Sequence, residues 1–160
     1  MKTPVTTNGE APAPHVTTFC VDRPTADAYC RFWQGLTADT LDGVDTFMAP
    51  EIRFRDPFND VRGLDRVKAL FAHLYSMLAE VSITVDDIAL SGPVAYLKWR
   101  FVYRLKSGQR FEIVGMSEVH FGPDGKATAH LDHWDAASQF WEQIPVIGFV
   151  LRQAKKRLSV

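Results

Sequence analysis

Two cysteines, Cys20 and Cys30, are all that the 160 residues contain. That count excludes a disulfide-built scaffold, and nothing beside the pair marks an oxidising compartment. Both are read as thiols of a cytoplasmic protein. A charge excess of one sign is missing too: 18 Lys and Arg stand against 19 Asp and Glu, for a net charge of −1. With no basic stripe, nucleic-acid binding loses its electrostatic footprint. Long apolar runs are absent, since Val146 to Leu151 falls far short of a bilayer span. The opening Met1-Lys2-Thr3-Pro4 lacks the apolar region of a secretory signal. No glycine-rich phosphate loop, nucleophile elbow or kinase signature occurs.

Aromatic residues are plentiful, with 11 Phe and 4 Trp. They suit either a large core or an apolar ligand cavity. Length predicts one domain, and a chain of this size buries roughly 70% of its unfolded surface. Residues 1–17, rich in Thr, Pro and Ala without periodicity, are expected to form a disordered leader. Asp22 and Pro24 mark a helix start, with Tyr29, Phe32, Trp33 and Leu36 on one face. A short second helix follows Thr40, carrying Leu41, Val44, Phe47 and Met48. A strand is predicted over 52–57, then a loop from Phe58 to Gly63, then a third helix bearing Leu64, Val67, Leu70, Phe71, Leu74 and Leu78. Strands follow at about 81–90, 94–105, 111–121 and 127–135, with Gly108 and Gly125 in hairpin signals. Residues 137–143 and 146–158 read as helical. The order implies an α+β fold with helices segregated on one face of a curved antiparallel sheet.

Two strands carry chemistry. In the first, Ile52, Phe54 and Asp56 share one face while Arg53 and Arg55 take the other. The arginines require water, so Asp56 is aimed at an apolar interior. A carboxylate there is costly unless hydrogen-bonded or neutralised. It is either a proton-shuttling base or an acceptor for backbone N–H groups of the Asn59-Asp60 turn. In the last strand His130, Asp132 and Trp134 share a face. Asp132 is a second candidate base, or a partner of His130 or an arginine; His130 is a candidate catalytic donor to a ligand oxyanion, a partner of Asp132, or a satisfied core histidine. Tyr103 and Ser117 are candidate hydrogen-bonding groups on pocket-side faces, and Trp99, Phe101 and Trp134 are candidate cavity walls or core. His130 and His133, three apart on a strand, face opposite sides, and His120 is out of phase with Ser117, so neither a metal nor a cofactor is expected. Ile144, Ile147, Leu151, Ala154 and Leu158 form a helical stripe ahead of Lys155, Lys156 and Arg157. That tail, 144–160, is expected to pack on its own domain, as a lid over the pocket mouth, rather than to lie on a membrane.

Leu41-Asp42-Gly43-Val44, then Phe54-Arg55-Asp56-Pro57 with a helix led by Gly63, then His133-Trp134-Asp135 occur in an order that resembles the nuclear transport factor 2-like superfamily. The chain is similar to its SnoaL-like and ketosteroid isomerase-like branches. The resemblance implies a SnoaL-like domain over 18–143: a cone of three N-terminal helices on a curved antiparallel sheet, with a C-terminal helical extension. It implies a small hydrophobic carbonyl-bearing ligand, a cofactor-free isomerase- or cyclase-like proton transfer, and a homodimer built through the outer sheet face. The alternative is a non-catalytic ligand-binding or dimerisation module. Asp56 is similar to the base of ketosteroid isomerase, and Asp132 to the catalytic aspartate of SnoaL-like cyclases. Phe32 and Ser117 stand where the isomerase has its oxyanion tyrosine and second aspartate, which implies negligible steroid turnover. Phe32 is expected to line the pocket. Trp99-Arg100-Phe101 replaces the Arg-x-Asp pair of limonene epoxide hydrolases, which implies no epoxide hydrolysis.

Overall fold

A computed structural model describes residues 19–158, so the expected leader and the last two residues of the tail lie outside the described residues. Helix α1 (Arg23–Gln34) starts where Asp22 accepts a hydrogen bond from the Thr25 N–H at 2.9 Å, with Pro24 in the first turn. Its apolar stripe buries Ala26, Tyr29, Cys30 and Trp33. A 3-10 turn (Ala38–Gly43) and α2 (Val44–Phe47) together form the expected second helix, burying Leu41 and Val44.

Strand β1 (Met48–Arg55) begins earlier than predicted, and Asp56 falls just past its end. Ile52 and Phe54 face inward while Arg53 clasps Asp60 through two N–H donors, at 2.9 and 2.6 Å. The stretch read as a loop contains a short strand, β2 (Asp60–Arg62), paired antiparallel with β1. Three residues give no periodic signal; the pairing comes from the Asp56–Asn59 turn that folds them back. Gly63, at φ 90°, then turns the chain into α3 (Leu64–Met77), which buries Val67 and Phe71.

Four long strands follow: β3 (Leu78–Ser91), β4 (Val94–Leu105), β5 (Arg110–Phe121) and β6 (Ala127–His133). They pair as an antiparallel meander, and the full sheet runs β2-β1-β6-β5-β4-β3. The expected all-antiparallel sheet is corrected at one place: β1 and β6 are parallel. These two are far apart in sequence with no hairpin between them, so nothing local fixes their relative direction. Bulges between Leu78 and Glu80 and between Val85 and Asp87 bend β3. The core lies between the inner sheet face and the helices, where Tyr29, Trp33, Phe54, Phe71, Leu97 and Val119 pack together.

The C-terminal extension consists of α4 (Ala136–Gln139), a 3-10 turn (Trp141–Gln143) and α5 (Pro145–Leu158). Gln139 anchors it. Its side-chain amide accepts from Val114 N–H at 2.6 Å and donates to Val114 C=O at 3.0 Å. β6 has ended by this point, so the amide supplies the partners a neighbouring strand would have given. Helix α5 meets the preceding turn by only part of the expected apolar stripe. Its Ile147 and Leu158 are exposed, and no α5 residue is among those lining the central cavity. It packs instead by its Gly148 side, where a Cβ would stand 2.1 Å from the Glu142 carbonyl oxygen. Arg152 donates to that same carbonyl at 2.9 Å.

Candidate functional site

Between α1, α3 and the inner sheet face lies a cavity of about 160 Å³. Its walls are Trp33, Phe54, Leu70, Phe71 and Leu74 on one side and Leu97, Trp99, Phe101 and Ile113 on the other. Phe58, 48% exposed, stands at the rim against Trp134. Among the residues lining the cavity, Asp56 and Asp132 are the carboxylates, and neither lysine nor arginine occurs.

Strand phase assembles the polar end. β4, β5 and β6 lie side by side, with Leu97 opposite Ser117 and Ser117 opposite Asp132. The Trp99 indole N–H, which can only donate, gives a hydrogen bond to Ser117 Oγ at 2.7 Å. Ser117 therefore turns its own proton to Asp132 Oδ1, 2.5 Å away. His130 Nε2 meets the same oxygen at 2.9 Å. On the far side of the ring, His130 Nδ1 lies 2.8 Å from the Tyr29 hydroxyl. Tyr29 is wholly buried, and that burial pushes its pKa far above the ordinary phenol value, so it keeps its proton and donates it to Nδ1. With Tyr29 as donor, Nδ1 accepts, and the Nε2 proton of His130 is directed at Asp132 Oδ1. Trp33 Nε1, the buried side-chain nitrogen left without a hydrogen bond among the described residues, lies close enough to Tyr29 to hold back part of that rise.

All donors in this chain converge on Oδ1. Among the described residues Oδ2 of Asp132 takes no hydrogen bond, and Asp132 lines the cavity. The carboxylate is thus oriented through Oδ1 alone.

Asp56 is built differently. Its Oδ1 accepts from the backbone N–H of Phe58 at 2.7 Å and of Asn59 at 2.6 Å. The Asn59 amide adds donors to both carboxylate oxygens, at 3.0 and 3.1 Å. Asp56 N–H closes the turn onto Asn59 C=O at 3.0 Å. Although Asp56 lines the cavity, its acceptor capacity is directed at its own turn. Of the two roles open to it in the sequence, the turn acceptor has the geometry.

The cavity also receives Tyr103, Ser117, His130, Trp99, Phe101 and Trp134, as expected from strand alternation. Burial raises the Tyr103 hydroxyl to about 12. Phe32 is the exception. It stacks on Phe47 at 4.7 Å, outside the cavity lining, because its position on α1 points it along the helix flank to α2. Two contributors were missed. In sequence Tyr29 shows only as part of an apolar stripe, although a buried tyrosine hydroxyl requires a partner. Gly115, opposite Trp99, lets the indole lie flat across β5; a Cβ there would sit 2.6 Å from the ring. A lone glycine inside a strand was the available signal. His133 and His120 lie on the outer face beside Glu118, so no metal set forms there, and no group able to hold a metal ion occurs among the described residues.

The SnoaL-like domain profile matches residues 29–130. A comparison with curated proteins found no match. Among solved structures, TsrD from Streptomyces laurentii is similar at 22% identity and TM-score 0.63, covering 72% of this chain and 91% of that one. A putative SnoaL-like polyketide cyclase from Jannaschia sp. CCS1 is similar at 15% identity and TM-score 0.65, covering 81% and 94%. An LEH-like epoxide hydrolase of M. tuberculosis is similar at 15% identity and TM-score 0.60, covering 73% and 84%. These likenesses carry the cone fold, and the profile covers well over half of the chain. The chain belongs to the SnoaL-like domain family.

Proposed function

We propose that this SnoaL-like domain is a cofactor-free proton-transfer enzyme of the isomerase or cyclase type, acting on a small hydrophobic carbonyl-bearing molecule, with Asp132 as its base. The observation that carries this reading is Asp132 in the lining of an apolar cavity, its Oδ1 fixed by Ser117 and His130 and its Oδ2 without a hydrogen bond among the described residues. A carboxylate in that setting can take a proton from a C–H beside a carbonyl, and the electron pair moves onto the carbonyl oxygen as an enolate. Tyr103 lines the same space, and its hydroxyl is the first candidate to donate to that oxygen. The protonated Asp132 then returns its proton, to a second carbon in an isomerisation or to a new alkoxide in a ring closure. Trp99 and Phe101 stand in the wall of one cavity whose lining includes both Asp56 and Asp132, which supports an enzyme over a filled core.

The rival reading, a non-catalytic binding or dimerisation module, draws on the polar chain behind Asp132, which is complete from Trp99 to Tyr29 without any ligand. The two separate by solvent deuterium exchange at the acidic C–H of a two-ring ketone such as 2-tetralone. The enzyme reading expects exchange above the buffer rate and a loss of at least about a hundredfold in Asp132→Asn. Exchange at the buffer rate in wild type favours the module.

The same reading places the protein in the cytoplasm as a homodimer. No helix among the described residues is long and apolar enough to cross a membrane. The outer sheet face carries exposed Tyr96, Val114 and Met116, a cluster suited to a second copy.

A further inference from the structure

The charge and size of the cavity narrow the ligand further, on the footing that Asp132 is the working group. Its lining carries the carboxylates Asp56 and Asp132 and neither lysine nor arginine, and both ring nitrogens of His130 already have protein partners, Tyr29 and Asp132. A carboxylate or phosphate on the ligand would sit beside Asp132 in an apolar space with nothing to balance it, where like charges repel strongly. A hydroxyl or an activated C–H, in contrast, presents a proton to Oδ2. At about 160 Å³ the cavity is close to the roughly 150 Å³ space that holds benzene. It is well below the roughly 300–1,000 Å³ of pockets for drug-sized ligands. Trp99 limits it, since the indole is held down by Ser117 and backed by Gly115.

We infer that the ligand is an uncharged molecule of one or two rings bearing one weakly acidic O–H or C–H group, and that carboxylates, phosphates and four-ring skeletons are rejected. A single ring lies against Asp132, and a second extends to the rim at Phe58 and Trp134. The test is binding of 2-naphthol, 2-naphthoate and a four-ring sterol to the full chain at neutral pH, followed by quenching of the cavity tryptophans. 2-Naphthol is expected to bind at least tenfold more tightly than 2-naphthoate, with the sterol weaker than either. Asp132→Asn is expected to bring the naphthol-to-naphthoate ratio below threefold. Naphthoate or sterol binding as well as naphthol overturns the inference, and so does binding of none of the three. If Asp132→Asn does not fold, the wild-type ratios decide the matter alone. Failure of the proton-transfer reading looks different: naphthol selectivity stays while ketone exchange is absent.

Discussion

At the scale of single residues, hydrogen-bond direction separates two aspartates that look alike in sequence. Both end inward-facing strand patterns, yet Asp56 accepts from the N–H groups of its own turn and Asp132 from Ser117 and His130, side chains that line the cavity. The strand pattern predicts Asp56 to be a poorly paired carboxylate, for which Asp56→Asn should hold or increase stability. Its three N–H donor groups reverse that expectation. Asp56→Asn should lower stability by about 1–2 kcal/mol in urea denaturation, the scale of weakened charged hydrogen bonds. An unchanged midpoint would return Asp56 to the role of an unsatisfied base. Gly115 gives a second test. A methyl group 2.6 Å from Trp99 must push the indole aside and break its bond to Ser117. Gly115→Ala should cost about 1–3 kcal/mol, as overpacked sites do, with a shift in tryptophan emission. Unaltered emission would show that the ring has slack.

At the scale of elements, helix count, long strands and hairpins were legible because period and turn residues agree over many positions. Leu97, Trp99, Phe101 and Tyr103 alternate against Lys98, Arg100 and Arg104, and the structure keeps that division. What failed was non-local. The β1–β6 direction, the short β2 and the docking of α5 each depend on a contact distant in sequence or on a few residues. The tail shows this well. A periodic stripe suggested packing through Ile147 and Leu158, but a missing Cβ at Gly148 lets the helix approach by another side. At the site, six of the seven expected cavity-facing residues besides the two aspartates follow from strand alternation. Phe32 alone depended on helix orientation, which an all-apolar stripe does not define to within one residue. Gln139 is the joint between sheet and tail. Gln139→Ala should remove two hydrogen bonds to Val114 and speed its amide exchange, with a stability loss of about 1 kcal/mol. Unchanged exchange at Val114 would mean that another contact holds the segment.

At the scale of the whole molecule, titration bounds the folded state at both ends of the pH range. Asp22, Asp60 and Asp135 are held below their ordinary value of 3.8, Asp22 and Asp135 by bonds from Thr25 and Ser138 and Asp60 by the Arg53 guanidinium. A depressed carboxylate stabilises the fold above its unfolded pKa, and that contribution is lost as pH falls through the folded pKa. Burial raises Tyr29, Tyr75 and Tyr103 above 10.0, so their contribution holds below that value and is lost as pH rises beyond it. Urea midpoints should therefore fall on both sides of a neutral plateau, and phenolate absorbance should rise together with unfolding. Free titration of every tyrosine in the folded state would contradict the buried Tyr29–His130 pair. The central claim is that Asp132, not Asp56, presents the reactive oxygen. Deuterium exchange into 2-tetralone by wild type, Asp132→Asn and Asp56→Asn, each checked for folding, tests it most directly. The expected result is a loss of at least about a hundredfold in Asp132→Asn and a change of less than about fivefold in folded Asp56→Asn. Loss of exchange in Asp56→Asn with retention in Asp132→Asn would contradict the account.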